Sequence, residues 1–317
     1  MNFKLRQLEG FIAAAELGAF SKAAERLCMT QPAFSQLIRE LETAVGVKLF
    51  DRTTRRVDLT DAGRLLLAQA RRPLDDLQHA YASLLELAGG ERGSVTYAVL
   101  PSTAFCIGTR AIAQLRARYP AVQVRQIEDQ NSLLIDKVLQ REVEFGIGMQ
   151  SGSDPALQFD FMFVDELVAV MPADHPLAAK PVLPWSDLAC HPLILLPLFS
   201  SSRRMVDANL SLLGCHSEPA FEVVNMATGL SMAREGLGLT VQPWVALESL
   251  NMSGLVHRSL GEPRPLRRMG IIRRRDRPLS AAAEVLIELL FEQAHASVSR
   301  NETAPGQARP ATHAARS

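Results

Sequence analysis

Four side chains in one short segment, Gln31, Ser35, Gln36 and Arg39, could hydrogen-bond to another molecule as a group. They fall on the outward side of a helix whose inward side carries Phe34, Leu37, Ile38 and Leu41. Amide, hydroxyl and guanidinium groups of this length reach base edges from the major groove of a duplex. Further along, Lys48, Arg52, Arg55 and Arg56 fall within nine positions, a local positive charge suited to phosphates or a minor groove. A solvated helix face would use the same residue types; the basic run directly after it favours nucleic acid.

These side chains need a frame, and residues 1–60 supply one. Leu5, Leu8, Phe11, Ile12 and Ala15 repeat at three and four residues, which predicts an amphipathic helix ending at Gly18. Ser21 is a natural N-cap for a short helix over Lys22–Leu27. Cys28 and Met29 form a tight turn, Thr30 can cap the next helix, and Pro32 sits in its first turn. Two short helices joined in this way make a helix-turn-helix. Ala24 is small where the helices cross, while Leu27, Phe34 and Leu37 fill the space between them. The stretch from Val47 to Thr60 reads as two short strands around a basic tip, a wing. The candidate DNA-binding set is therefore Ser21, Thr30, Gln31, Pro32, Ser35, Gln36, Arg39, Arg52, Arg55 and Arg56.

Residues 61–90 carry an a/d pattern of Leu67, Leu74, Tyr81 and Ala88 interleaved with Ala70, Leu77 and Leu84. This predicts a helix of roughly 40 Å able to pair two chains, with a bend expected at Pro73. The Gly89–Gly93 segment breaks the pattern. From Ser94 onward β-rich runs alternate with helical ones, among them a helix over Thr103–Arg118 and a closing helix over Ala281–Ala294. Such alternation predicts a mostly parallel α/β sheet in two lobes. Ligands of such sheets bind beyond strand ends, beside helix N-termini. The candidate effector residues there are Pro101, Ser102, Thr103, Asn131, Ser132, Phe199, Ser200, Ser201, Ser202 and Thr228, a set suited to a carboxylate. Each cluster would also serve as an ordinary helix cap. The arginines between Arg264 and Arg277 read as a solvated face or interface.

Composition narrows the class. The chain has 317 residues, 34 basic and 34 acidic side chains and 47% apolar content, which fits two or three globular domains and excludes bulk-charge coating of nucleic acid. Its longest apolar runs are too short for a membrane span, and the first residues carry charge where an export signal would be apolar, so a cytoplasmic location is expected. Cys28, Cys106, Cys190 and Cys215 lack paired spacing and read as unpaired thiols. Scattered histidines, no nucleophile elbow and no phosphate-cradling glycine loop argue against an enzyme, a metal or a cofactor.

The matching residues then form one ordered string: Leu5-Arg6-Gln7-Leu8, Phe11, Phe20-Ser21-Lys22-Ala23-Ala24-Glu25-Arg26-Leu27, Thr30-Gln31-Pro32-Ala33-Phe34-Ser35, Ile38, Leu41-Glu42, Gly46–Arg52 and Leu59–Gly63. This string resembles the N-terminal domain of the LysR-type transcriptional regulators. The resemblance implies a winged helix-turn-helix (1–60), a long dimerisation helix (61–90) and a two-lobed effector domain similar to periplasmic binding proteins. Lobe I would comprise 94–163 with 266–298, lobe II 164–265, and 299–317 a disordered tail. It also implies double-stranded promoter DNA, a small-molecule effector between the lobes, and self-association into dimers or tetramers as partners, with no membrane. Gln36 departs from the family, which often places Arg there. The other reading is a solute-binding or enzymatic α/β domain with an accessory helix-turn-helix.

Overall fold

A computed structural model of the chain describes residues 3–52, 57–87, 93–152, 154–215 and 218–302. It divides into two compact units, Met1–Gly89 and Gly90–Ser317.

In the first unit, helices α1 (Leu5–Leu17), α2 (Phe20–Arg26) and α3 (Gln31–Val45) precede an antiparallel hairpin of β1 (Phe50–Arg52) and β2 (Val57–Leu59) and the helix α4 (Asp61–Leu87). Gly18 and Gly46 end α1 and α3 in the left-handed conformation at φ 60° and 77°. Phe11, Phe20, Phe34 and Phe50 meet in the core, with ring centroids 5.3 to 5.5 Å apart. Two expected caps differ. Ser21 lies inside α2, whose N-cap is Ala19, because Phe20 is already helical and buried. Thr30 does occupy the N-cap position of α3, yet its side chain makes no capping bond.

The α4 helix runs unbroken through Pro73. Its first turns pack onto the unit's own core: Ala70 and Leu74 are buried there, with Leu66 and Leu67 against them. The first a/d steps are thus taken up within the chain, whereas Leu77 is exposed. Gly63 permits this approach, since a Cβ there would lie 2.1 Å from the carbonyl oxygen of Leu49. Ala88 and most of the Gly89–Gly93 break lie outside the described residues.

The second unit opens with β3 (Ser94–Val99) and a helical run made of α5 (Pro101–Thr103), a π-turn (Ala104–Gly108) and α6 (Thr109–Arg118). The expected Thr103–Arg118 helix therefore starts two residues earlier and is widened at its first turns, where Thr109 Oγ1 donates to the Ala104 carbonyl 3.1 Å away. Next come β4 (Gln123–Glu128), α7 (Asn131–Leu139), β5 (Phe145–Met149), β6 (Leu157–Pro172), β7 (Val182–Leu183), α8 (Trp185–Ala189), β8 (Leu193–Leu195), α9 (Ser201–Leu212) and β9 (Phe221–Glu222). The rest is α10 (Met226–Arg234), β10 (Leu239–Pro243), α11 (Trp244–Leu247), β11 (Leu255–Leu260), β12 (Leu266–Arg274) and α12 (Ala281–Glu302).

The sheet is mixed, a correction to the mostly parallel expectation. β3 pairs in parallel with β4 and β5, and β8 with β9 and β10. Strand β6, 16 residues long, runs antiparallel to β12, β10 and β11. The reason is topological: β6 carries the chain out of the first lobe and β12 brings it back. The α12 helix extends to Glu302, past both the expected end at Ala294 and the expected start of the tail at 299. Tyr97, Leu115, Phe145, Ile147 and Leu286 centre the first lobe's core, and Leu167, Trp185, Leu193 and Leu260 that of the second.

Candidate nucleic-acid interface and ligand cleft

Helix α3 presents its polar face because Phe34, Ile38 and Leu41, all fully buried, hold the opposite one. Gln31, Pro32, Gln36 and Arg39 are exposed and Ser35 half-buried. Among the described residues, the side chains of Gln31, Ser35 and Arg39 hydrogen-bond to no protein group, so their donors and acceptors are available. Ser21 is exposed on α2. The frame under this face is held by polar pairs. Buried Glu42 accepts from the backbone N–H groups of Leu49 (3.0 Å) and Phe50 (3.3 Å) through Oε1, while Oε2 meets Lys48 Nζ at 3.1 Å. One carboxylate thus ties the end of α3 to the start of the wing. Thr60 Oγ1 donates to the Lys48 carbonyl and accepts from Gly63 N–H, fixing the wing's return to α4. Arg52 ends β1; Arg55 and Arg56 lie outside the described residues.

In the second unit a cleft of about 130 Å³ opens at the N-termini of the Pro101–Arg118 run and of α9. Of the ten residues expected there, Pro101, Ser102, Phe199, Ser200, Ser201 and Ser202 line it together. Thr103, Asn131, Ser132 and Thr228 do not. Thr103 is buried. Asn131 brackets β5 instead, accepting from Met149 N–H at 2.7 Å and donating to its carbonyl at 3.2 Å. Gly148 leaves room for that amide, since a Cβ would fall 2.6 Å from Asn131 Oδ1. Ser132 and Thr228 face solvent. Leu100, Leu196, Pro197, Val224, Met226 and Pro243 add apolar wall, and Gln130 a polar group.

The floor of the cleft holds a residue the sequence reading placed elsewhere. Arg267 lies in the arginine-rich segment read as a solvated face, yet it is only 2% exposed. Its guanidinium pairs with fully buried Asp165 and donates to Ser102 Oγ (3.2 Å) and Ser202 Oγ (3.3 Å), reaching both helix starts. Asp165 also accepts from Val245 N–H at 3.0 Å. On the adjacent position of β6, Glu166 pairs with Arg264 at 2.7 Å; burial pushes its carboxyl up from the ordinary carboxylate range, against the pull of Arg264. The signal for Arg267 was strand alternation: Met269 and Ile271 point inward, so period two turns Arg267 inward as well. Arg203 and Arg204, at the start of α9, serve the cleft wall, donating to the carbonyls of Leu196 (3.0 Å) and Phe199 (2.8 Å).

The cysteines offer no paired chemistry. Cys106 is buried and its thiol is pushed up to about 12 by burial, which disfavours a reactive thiolate. Among the described residues no group of three or more His, Cys, Asp or Glu is placed to hold a metal ion, and no helix is long and apolar enough to cross a membrane.

Comparison with known proteins places both units. Residues 5–64 match the family described as bacterial regulatory helix-turn-helix protein, lysR family, and residues 88–295 match the LysR substrate binding domain. The chain is 32% identical over 291 residues to the HTH-type transcriptional regulator YbhD of Escherichia coli K12, covering 92% of each chain. It is similar to a full-length, singly substituted OxyR from Pseudomonas aeruginosa at a TM-score of 0.69 and 25% identity, over 93% of this chain and 95% of that one. CbnR in complex with its target DNA shares the fold at a TM-score of 0.65 and 19% identity, over 92% of this chain and all of that one. These relatives are regulators, not enzymes. With its DNA-reading helix-turn-helix and its two-lobed effector-binding domain, the chain belongs to the LysR family of transcriptional regulators.

Proposed function

We propose that this regulator reads promoter DNA through the outward face of α3, with Gln31, Ser35, Gln36 and Arg39 in the major groove and the wing arginines Arg52, Arg55 and Arg56 on the backbone or minor groove. Ser21, Thr30 and Pro32 flank that face. The observation that carries the reading is the outward polar face of α3 over an aromatic core, on which the side chains of Gln31, Ser35 and Arg39 bond to no protein group among the described residues. The part of α4 from Leu77 onward offers the surface on which two chains pair, and the working unit is a dimer or tetramer.

We infer further that the cleft takes a small carboxylate-bearing effector. Two helix N-termini open onto it and four serines line it, and such ends favour anions. Its apolar walls suit a compact organic body. The effector changes DNA occupancy to the extent that it favours one arrangement of the assembly. The test pairs two variants on the same DNA. Gln31→Ala should cost about 1–3 kcal/mol on the selected site and little on random duplex. Arg56→Ala should weaken both alike and shrink the salt slope by about one. Equal losses on both DNAs for Gln31→Ala would overturn the base-reading role; absence of stabilisation by any member of a carboxylate panel in thermal melting would overturn the effector class.

A further inference from the structure

On α3 the residue roughly opposite the buried Phe34–Ile38–Leu41 stripe, at about 100° per residue, is Gln36. Its amide belongs to a short relay of fixed polarity. Lys4 N–H donates to Gln7 Oε1 at 2.8 Å, which leaves the Gln7 amide nitrogen as donor to Glu40 Oε2 at 3.1 Å. Glu40 Oε1 in turn accepts from Gln36 Nε2 at 3.3 Å. Gln7 is buried, so the relay is rooted in the core of the unit. An ionised carboxylate can only accept. A reversed Gln36 amide would set its oxygen against Glu40, acceptor against acceptor. The polarity of Gln36 therefore follows from the Glu40 carboxylate, which Gln7 in turn ties to α1.

We propose that Gln36 is an adenine-selecting residue and that Glu40, acting through it, is the positioning residue that keeps it so; this rests on the reading that α3 enters the major groove. One Nε2 hydrogen goes to Glu40. The other, together with Oε1, which accepts from no protein donor among the described residues, forms a donor–acceptor pair. Adenine presents the complement, an N7 acceptor beside an N6 donor. Guanine presents acceptors at both N7 and O6, so its O6 would face Gln36 Oε1. Thymine offers the single acceptor O4 beside a methyl group and leaves Oε1 unpaired, and cytosine supplies one donor with no N7 partner. An arginine at this position, a donor only, would invert the choice toward guanine.

The experiment is selection of the full-length protein on a randomised duplex library, with sequencing of the bound fraction for the unsubstituted chain and three variants. In the unsubstituted protein one position of each half-site should favour adenine over guanine on the order of 10- to 100-fold, and Gln36→Ala identifies it by flattening that position alone. Gln36→Arg should convert it to guanine and steepen the salt slope by about one. Glu40→Ala should leave the rest of the site intact while the adenine-to-guanine ratio at that position falls by about two- to fivefold, the worth of one hydrogen bond. A purely structural role for Glu40 would lower occupancy of every site and leave that ratio unmoved. An enriched site in which no position responds to Gln36, or responds with guanine in the unsubstituted protein, overturns the inference and leaves the groove reading standing. A library that yields no enriched site overturns both.

Discussion

On α3 the side chains of Gln31, Ser35 and Arg39 face outward, above an inner face of Phe34, Ile38 and Leu41. In the second unit the counterpart groups, Arg267, Asp165, Ser102 and Ser202, face one another inside the protein. The first arrangement leaves hydrogen-bonding capacity open to a partner. The second satisfies itself and leaves only its edges to a ligand, as a low-dielectric setting demands. An outward polar face can be exchanged without cost to folding, whereas an inward polar network specifies the fold around it.

That contrast has measurable consequences, the largest in the second unit. Asp165→Ala leaves the Arg267 guanidinium buried and uncompensated, and should destabilise this unit by about 3–5 kcal/mol in urea unfolding; a loss below about 1 kcal/mol would mean water already reaches the pair. Replacing both partners together, Asp165→Leu with Arg267→Met, should recover most of that loss. Within the reading unit, Glu42→Ala orphans the buried N–H groups of Leu49 and Phe50 and should cost about 1–3 kcal/mol.

A smaller effect depends on pH. His257, on β11, is buried, and burial followed by the charge of Arg258 lowers its imidazole from the ordinary 6.5 to about 4. Between those values the unfolded chain binds the proton that the folded chain refuses. Stability is therefore complete above about pH 6.5 and declines as the pH falls toward 4, by on the order of 1–2 kcal/mol between about pH 7 and 5. His257→Leu should flatten this part of the profile, and an unchanged slope would assign the loss to other groups. Smallest of all, Gln31→Ala should alter the melting of the reading unit by less than about 0.5 kcal/mol, although its DNA affinity falls. A larger change would show that Gln31 belongs to the frame.

The two regions also differ in how much could be read beforehand. The helix-turn-helix follows from periodicity and punctuation, because its determinants lie within one or two turns of each other: Gly18, Pro32, Gly46 and the stripe through Leu41. Even there, Ser21 and Thr30 looked like caps when neither side chain caps. In the effector unit, Ser102 and Ser200–Ser202 were legible as strand-end clusters, whereas Asn131 and Thr228 stand in identical-looking clusters that reach the cleft through their neighbours Gln130 and Met226, while Asn131 brackets β5 and Thr228 faces solvent. Local sequence cannot separate these cases, since what distinguishes them is which side chain of each helix start reaches the cleft. Arg267 was harder still. Its partners stand 65, 102 and 165 residues away in the chain, and its neighbouring arginines disguised a single inward position. The mixed sheet escaped for the same reason: the direction of β6 and β12 is set by the path between lobes, which no periodicity records.

The continuous β6 strand makes the second lobe an insertion within a hairpin. Glu166 and Leu266 face each other at the end of the β6–β12 ladder, so that, with Val245 and Glu248 kept for their contacts in the first lobe, the rest between them could be excised without breaking a rung below. The first lobe would then stand as a half-receptor, still carrying Ser102 and Arg267 but with nothing to close against them.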